Sequence, residues 1–353
     1  MHRPNALRKP FAALLGVLLL AGVLALAACG NSQKTETQDA SKSEGQAQQS
    51  QTTEKTDKSK VRVASLKGPT SIGLVSLMDQ AKQGKSANDY EFTIATAADE
   101  ISSGMFKGDY DIVLIPANMA SVMYNKSDST VTVVDINTLG VLNVVTGDAS
   151  VTSFADLSGK TVYMTGKGAV PEYTMNYLLE QNGLSGSVTL EFKDEPAEVV
   201  SVLSKDSRAV GVLPQPFATA ATTKNKDLKS VIDLNDVWEK AAGSDSKLIT
   251  GVTLVSKEFL HRYPKVVDEF LKEHAASVKA ANDDPSAVAP LVAEAGIIDS
   301  EAVAAKAIPD CHLVCITGDE MKTALSGYLK TLLNADSSSV GGTLPGDDFY
   351  YVG

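Results

Sequence analysis

Four short stretches of this 353-residue chain carry residue types suited to holding a small polar molecule. The first is Lys67-Gly68-Pro69-Thr70-Ser71, a glycine corner between a β-rich run and a helical one. Gly68 allows close backbone approach, Thr70 or Ser71 can cap the helix, and unpaired N–H groups at a helix start attract anions. The second is Pro116-Ala117-Asn118-Met119, where the Asn118 amide can both donate and accept, or simply cap the helix it opens. The third runs from Thr165 to Tyr173, with Gly166 and Gly168 flanking Lys167 ahead of a helix that has Pro171 in its first turn. Glu172 there suits a cap, and Tyr173 can stack on a ligand ring or pack into the core. The fourth is Gln215-Pro216-Phe217, an amide that can hydrogen-bond a ligand beside a ring that can line a pocket or pack. Thr138 and Leu139, at the end of another β-rich run, complete the set.

Several kinds of chemistry are excluded. The first corner lacks the G-x-x-x-x-G-K-[ST] spacing of a nucleotide phosphate loop. No G-x-S-x-G elbow occurs, so a nucleophilic triad has no starting point. Of the four His, His2 precedes an apolar leader, and His261, His274 and His312 fall outside the corners and outside H-x-x-x-H spacing. Cys311-His-Leu-Val-Cys315 lacks C-x-x-C spacing and a second ligand pair, which leaves a local disulfide or two buried thiols. One extended strand would hold those sulfurs too far apart, so a disulfide needs a turn there. The expectation is no catalytic residue, no metal and no cofactor.

Charge narrows the ligand and the partners. Beyond the leader only Arg62, Arg208 and Arg262 are arginines, and none lies at a corner. A doubly charged ligand usually draws bidentate Arg, so a neutral or singly charged one is expected, with Lys67 and Lys167 able to balance one negative charge or to remain solvated. The chain has 32 Lys and Arg against 43 Asp and Glu, a formal charge of −11. Removing the first 28 residues takes away three basic and no acidic residues and leaves −14. Such a surface suits no nucleic acid, and an anionic bilayer would repel it.

The ends of the chain say how it is held. Arg3, Arg8 and Lys9 precede "FAALLGVLLLAGVLALAA", and "LAAC" ends on Cys29. A basic start, an apolar core and small residues make residues 1–28 a signal peptide. "LAACG" resembles the bacterial lipobox, in which the cysteine is diacylated and becomes the new N-terminus. Residues 30–59 contain no Val, Ile, Leu, Met or aromatic residue. They cannot offset the entropy of ordering and are expected to form, with Cys29, a disordered tether spanning roughly 30 Å.

The remaining 294 residues alternate strand-like and helical runs, which positions the corners after strands. Strands are expected at 61–66, 90–95, 110–117 and 131–138, with helices at 71–83, 97–108 and 118–126 between them. The pattern restarts at 142–148, a short turn at "SFADL" and a strand at "KTVYMT". A helix over 170–184, a strand over 188–193, a helix over 196–206, a strand over 209–214 and a helix over 215–225 follow. A strand at 248–255 leads into a mostly helical end with one further strand at "CHLVCI". The fold class is α/β, with two lobes, each a mixed, mainly parallel sheet flanked by helices. Lobe 1 comprises 60–145 and 248–353, lobe 2 comprises 146–247, and the corners face the cleft between them.

These features resemble the substrate-binding proteins of ABC importers, in the nitrate/sulfonate/bicarbonate and thiamine-precursor group. The resemblance rests on "VRVASLKGPTSIGLVSLM", "YDIVLIPANMASVMYNK", "INTLGVLNVV", "SFADLSGKTVYMTGKGAVPEY", "VGVLPQPFATAA" and "GVTLVSKEFLHRYPKVVDEFL", in that order over most of 61–275. It implies a type II periplasmic-binding-protein fold, a monomer that closes on a small molecule and docks on permease subunits. It does not imply which molecule. A lipoprotein that senses its ligand for a signalling partner fits the same features. A two-lobed enzyme of pyrimidine synthesis fits less well, since it uses a site histidine and no lipobox.

Overall fold

Val61, Val63, Ile112, Val113, Leu114 and Ile115 are all buried, so the strands carrying them need helices on both faces. In the computed structural model, residues 59–243 and 245–353 are described. The leader, Cys29 and the polar stretch through Lys58 lie outside the described residues. Strands β1 (Lys60–Leu66), β2 (Asp89–Ala95), β3 (Ile112–Pro116) and β4 (Val131–Leu139) come first. Next are β5 (Leu142–Thr146), β6 (Thr161–Met164), β7 (Thr189–Phe192), β8 (Val210–Pro214) and β9 (Lys229–Asp233). The chain returns with β10 (Ile249–Ser256) and ends its sheets with β11 (Leu313–Ile316).

Two sheets result, in the orders β11-β4-β10-β3-β1-β2 and β7-β6-β8-β5-β9. β1 pairs in parallel with β2 and β3, and β6 with β7 and β8. β10 is wedged antiparallel between β3 and β4, and β5 antiparallel between β8 and β9. β1 to β4 therefore share one direction, as do β6 to β9, so each sheet is mixed but mainly parallel in direction. The chain first crosses between the sheets at Gly140–Val141. β5, which a 145/146 boundary assigns to the first lobe, accordingly pairs wholly within the second sheet.

The periodicity predicts one helix over 71–83; the chain instead forms Pro69–Ile72 and Val75–Lys82. Gly73 separates them, and a Cβ there would stand 3.0 Å from Val278 Cγ2 and 3.3 Å from His274 Nε2. The helix Pro264–Asp283 thus packs directly on a bare glycine, which also weakens the helix locally. β9 and the following helix Leu234–Ala242 have no counterpart among the expected elements.

β4 is buried along all nine residues. One apolar cluster runs through both sheets, with Ile136 of β4, Val144 of β5, Val162 of β6, Val212 of β8 and Leu325 of the helix Gly318–Ala335. Trp238, the single tryptophan, is its centrepiece. Its ring lies 4.7 Å from that of Tyr177 and 5.6 Å from that of Tyr328. A truncation of this ring to Ala would cost about 3–5 kcal/mol. The C-terminal aromatic residues Phe349 and Tyr350 are buried, at 0% and 8% exposure.

Candidate ligand cleft

The corners lie where the strands end. Lys67 closes the first corner onto the neighbouring strand, its backbone N–H donating to the Ala95 carbonyl at 2.8 Å. Its side chain is exposed and makes no ion pair among the described residues. Gly68 has φ +133°, a conformation that favours glycine, and a Cβ added there meets nothing within 4 Å, so this backbone faces open space. Ser71 braces the corner: its Oγ donates to the Leu66 carbonyl at 2.7 Å and lies 2.6 Å from Ser65 Oγ. Thr70, 6% exposed, packs on Gly251 of β10, where an added Cβ would fall 2.3 Å from Thr70 Cγ2 and 2.4 Å from Asn137 Oδ1. Thr138 is fully buried and donates to Asn137 Oδ1 at 2.9 Å.

Asn118 and Tyr173 meet one shared segment. The Asn118 amide donates to the Ser339 carbonyl at 3.2 Å, and the Tyr173 hydroxyl donates to Asp336 Oδ2 at 2.8 Å. The Tyr173 hydroxyl also lies 3.0 Å from the Gly168 carbonyl, and Gly168 N–H donates to Glu172 Oε2 at 2.6 Å. Glu172 therefore organises the glycine turn, as a cap would. A Cβ on Gly166 would stand 2.7 Å from Pro171 Cγ, so the turn lies flat on the helix behind it. Lys167 is exposed without an ion pair among the described residues, and Phe217 is 39% exposed.

Gln215 is 2% exposed and works across the sheets. Its backbone N–H donates to the Val141 carbonyl at 2.9 Å, and its Oε1 accepts from Thr219 Oγ1 at 2.8 Å. Its Nε2 reaches Asp310 Oδ2 at 3.3 Å. Beside it stands His312, which the sequence sets outside every corner. In the fold it immediately precedes β11, level with the Gly140 crossing. It has φ +45°, uncommon for a residue with a side chain. His312 Nδ1 lies 2.5 Å from the Gly140 carbonyl, and Nε2 lies 3.1 Å from Asp233 Oδ2 at the end of β9. Both neighbours only accept hydrogen bonds, so both ring nitrogens must donate and the imidazole is cationic here. The Asp233 hydrogen bond raises its pKa most, against burial, to about 9. Burial and the nearby Asp233 charge push Asp310 up, opposed by His312.

Among the described residues, three side-chain polar contacts therefore bridge the two halves: Tyr173–Asp336, His312–Asp233 and Gln215–Asp310. The turn Pro69–Ile72 packs against the residues Ile308–Cys311 that carry Asp310, which brings the first corner to the same place. Arg62, by contrast, pairs with Asp111 Oδ1 at 2.6 Å at the opposite end of the first sheet. A recess of ≈ 1060 Å³ opens at that end, lined by Lys60, Arg62, Phe106 and Tyr263. It lies at the N-terminal ends of β1 and β3, whereas ligands of open α/β sheets sit outside the carboxyl ends. Cys311 and Cys315 are both free thiols, the first buried. No helix of the described residues is long and apolar enough to cross a membrane.

No protein-family model matches the sequence, and no curated protein matches it. Solved structures do share its fold. An ABC transporter protein from Parabacteroides distasonis is 21% identical, with a TM-score of 0.69 over 82% of this chain and 98% of that one. The periplasmic aliphatic sulphonate binding protein of Escherichia coli is 13% identical, with a TM-score of 0.61 over 82% and 96%. The ligand-binding component of an ABC-type import system from Staphylococcus aureus, solved with zinc bound, is 14% identical, with a TM-score of 0.60 over 83% and 97%. The chain thus has the two-lobed periplasmic-binding-protein fold that its motifs resemble. Different ligands on that fold mean that the fold alone does not name this one.

Proposed function

We propose that this protein is the solute-binding component of an ABC importer, capturing a neutral or singly charged small molecule between its lobes and presenting it to the permease subunits. The observation that carries the reading is the set of bridges at the carboxyl ends of both sheets, on a fold whose solved examples include import-system components. Binding, not chemistry, is the mechanism. The ligand adds contacts to a bridged, closed form, and the population moves toward it by the difference in affinity for the two forms.

Within the cleft, the backbone of Gly68 and of Gly166-Lys167 offers N–H groups, Gly168 shapes the turn with its own N–H held by Glu172, and Lys67 and Lys167 are the mobile charges. Thr70, Ser71, Asn118, Thr138, Tyr173 and Gln215 shape the walls, and Phe217 offers an exposed ring. Their existing internal hydrogen bonds support a wall role over direct ligation for Ser71, Thr138 and Gln215. The signal peptide and the lipidated Cys29 would hold the domain on the extracytoplasmic face through the polar tether, and the chain would act as a monomer. A thermal-shift screen of nitrate, sulfonates and neutral or monocationic nitrogen heterocycles tests the reading. A hit should lose affinity when Gly68 is replaced. If no ligand raises the melting temperature, binding in the cleft is refuted.

A further inference from the structure

Away from the cleft, the first sheet buries a polar cluster. Asp135 in β4 and His274 in the helix Pro264–Asp283 are both at 0% exposure, and Cys315 of β11 stands beside them. His274 Nδ1 lies 3.0 Å from Asp135 Oδ2, and Cys315 Sγ lies 3.8 Å from the same oxygen. One donor atom from each residue lies within 4.8 Å of the others. Asp135 Oδ1 is fixed by the Thr253 hydroxyl at 2.7 Å, which accepts from the Asn137 amide at 3.2 Å. His274 Nε2 is buried and has no hydrogen-bond partner.

We propose that Asp135, His274 and Cys315 form a site for one borderline-soft divalent cation of the zinc class, structural in role and separate from the cleft. Mixed carboxylate, imidazole and thiolate donors suit such an ion. Ligand distances of about 2.0–2.3 Å in a tetrahedron set the donor atoms about 3.3–3.8 Å apart; here Asp135 Oδ2 stands 3.0 Å from His274 Nδ1 and 3.8 Å from Cys315 Sγ, and the third pair is within 4.8 Å. Thr253 and Asn137 supply the outer hydrogen bonds that orient a ligating carboxylate. Charge also balances: a divalent ion with one carboxylate and one thiolate is neutral in a low-dielectric site. β11 is the edge strand and Cys315 is only partly buried, so of the three residues it is the one nearest solvent.

Binding would release the Cys315 thiol proton to solvent, because the metal takes the thiolate. The imidazole proton must then sit on Nε2, the ring atom that no hydrogen bond occupies. The sequence conceals this site because Cys315 and Asp135 are 180 positions apart and His274 is on a third element.

Cobalt(II) and zinc titrations of the chelator-treated mature chain test the assignment. One ion per chain is expected, with cobalt showing tetrahedral visible bands and thiolate-to-metal absorption. Both signals should persist in Cys29→Ser/Cys311→Ser and be lost in Cys315→Ala, while Thr253→Val should weaken binding about 10–100-fold. In the unmutated protein, zinc should protect Cys315 from alkylation, read by mass spectrometry. Absorption that survives Cys315→Ala, or alkylation of Cys315 unaffected by zinc, would overturn the proposal.

Discussion

Among the described residues, His312 and Asp233 form the one ion pair that joins the edge of the first sheet to the edge of the second. Nε2 and Oδ2 are 3.1 Å apart, with side chains about a quarter exposed, at 24% and 23%. The other ring nitrogen holds the Gly140 carbonyl, at the point where the chain crosses. The same ring therefore grips the hinge and the opposite lobe. Replacing His312 by Ala should lower stability by about 2 kcal/mol, the range for hydrogen bonds to charged groups, and shift the lobes toward an open form. Scattering and thermal melts read the two effects. Asp233→Ala should give nearly the same loss, and the double variant little more; full additivity would mean the two residues act separately.

This pair also sets a pH dependence. The folded-state pKa of His312 is raised to about 9 from 6.5, chiefly by Asp233. Its stabilisation is fully present below the unfolded value and is lost as pH rises through the folded one. The closed population should therefore fall between about pH 6.5 and 9 and level off beyond. Inter-lobe energy transfer across that range checks it, and the slope should vanish in His312→Ala.

Gly251 is the point at which the first corner touches the sheet. Adding a methyl there meets Thr70 Cγ2 at 2.3 Å and Asn137 Oδ1 at 2.4 Å. Gly251→Ala should cost about 1–3 kcal/mol in chemical denaturation and weaken ligand binding by displacing the Gly68 backbone. A variant as stable as the parent would mean the corner shifts freely.

Lys67 and Lys167 report on the ligand's charge. Both are exposed and without ion pairs among the described residues, so Lys67→Ala and Lys167→Ala should leave melting within about 0.5 kcal/mol of the parent. For a singly negative ligand, either change should weaken binding several-fold and flatten its salt dependence. For a neutral ligand, neither should. A ligand of double negative charge would contradict the account, because Arg62, the arginine of β1, is occupied by Asp111 at the far end.

How much of this was legible in the sequence depends on distance along the chain. Continuous apolar runs such as Ile112–Ile115 and the glycine corners made β1 to β8, β10 and β11 readable, because local pattern decides them. β9 and the helix Leu234–Ala242 were not, since "KSVID" is only half buried and carries a weak alternation. Without β9 there was no Asp233, and without Asp233 nothing marked His312. The Asn118 amide looked available for a ligand, but its partner Ser339 lies 221 residues away. Gln215 likewise meets Asp310 across 95 residues. Corners are local and can be read, whereas the contacts that bridge lobes are set by the fold.

The most direct test of the account is the distance between the lobes with and without ligand. Spin labels at the exposed positions Lys107 and Lys205, one on each half, make the distance measurable by pulsed electron resonance. With a ligand found by thermal shift, the account predicts a change from a broad distribution to one narrow, shorter distance, with the change reduced in His312→Ala. An identical distribution with and without saturating ligand would contradict it.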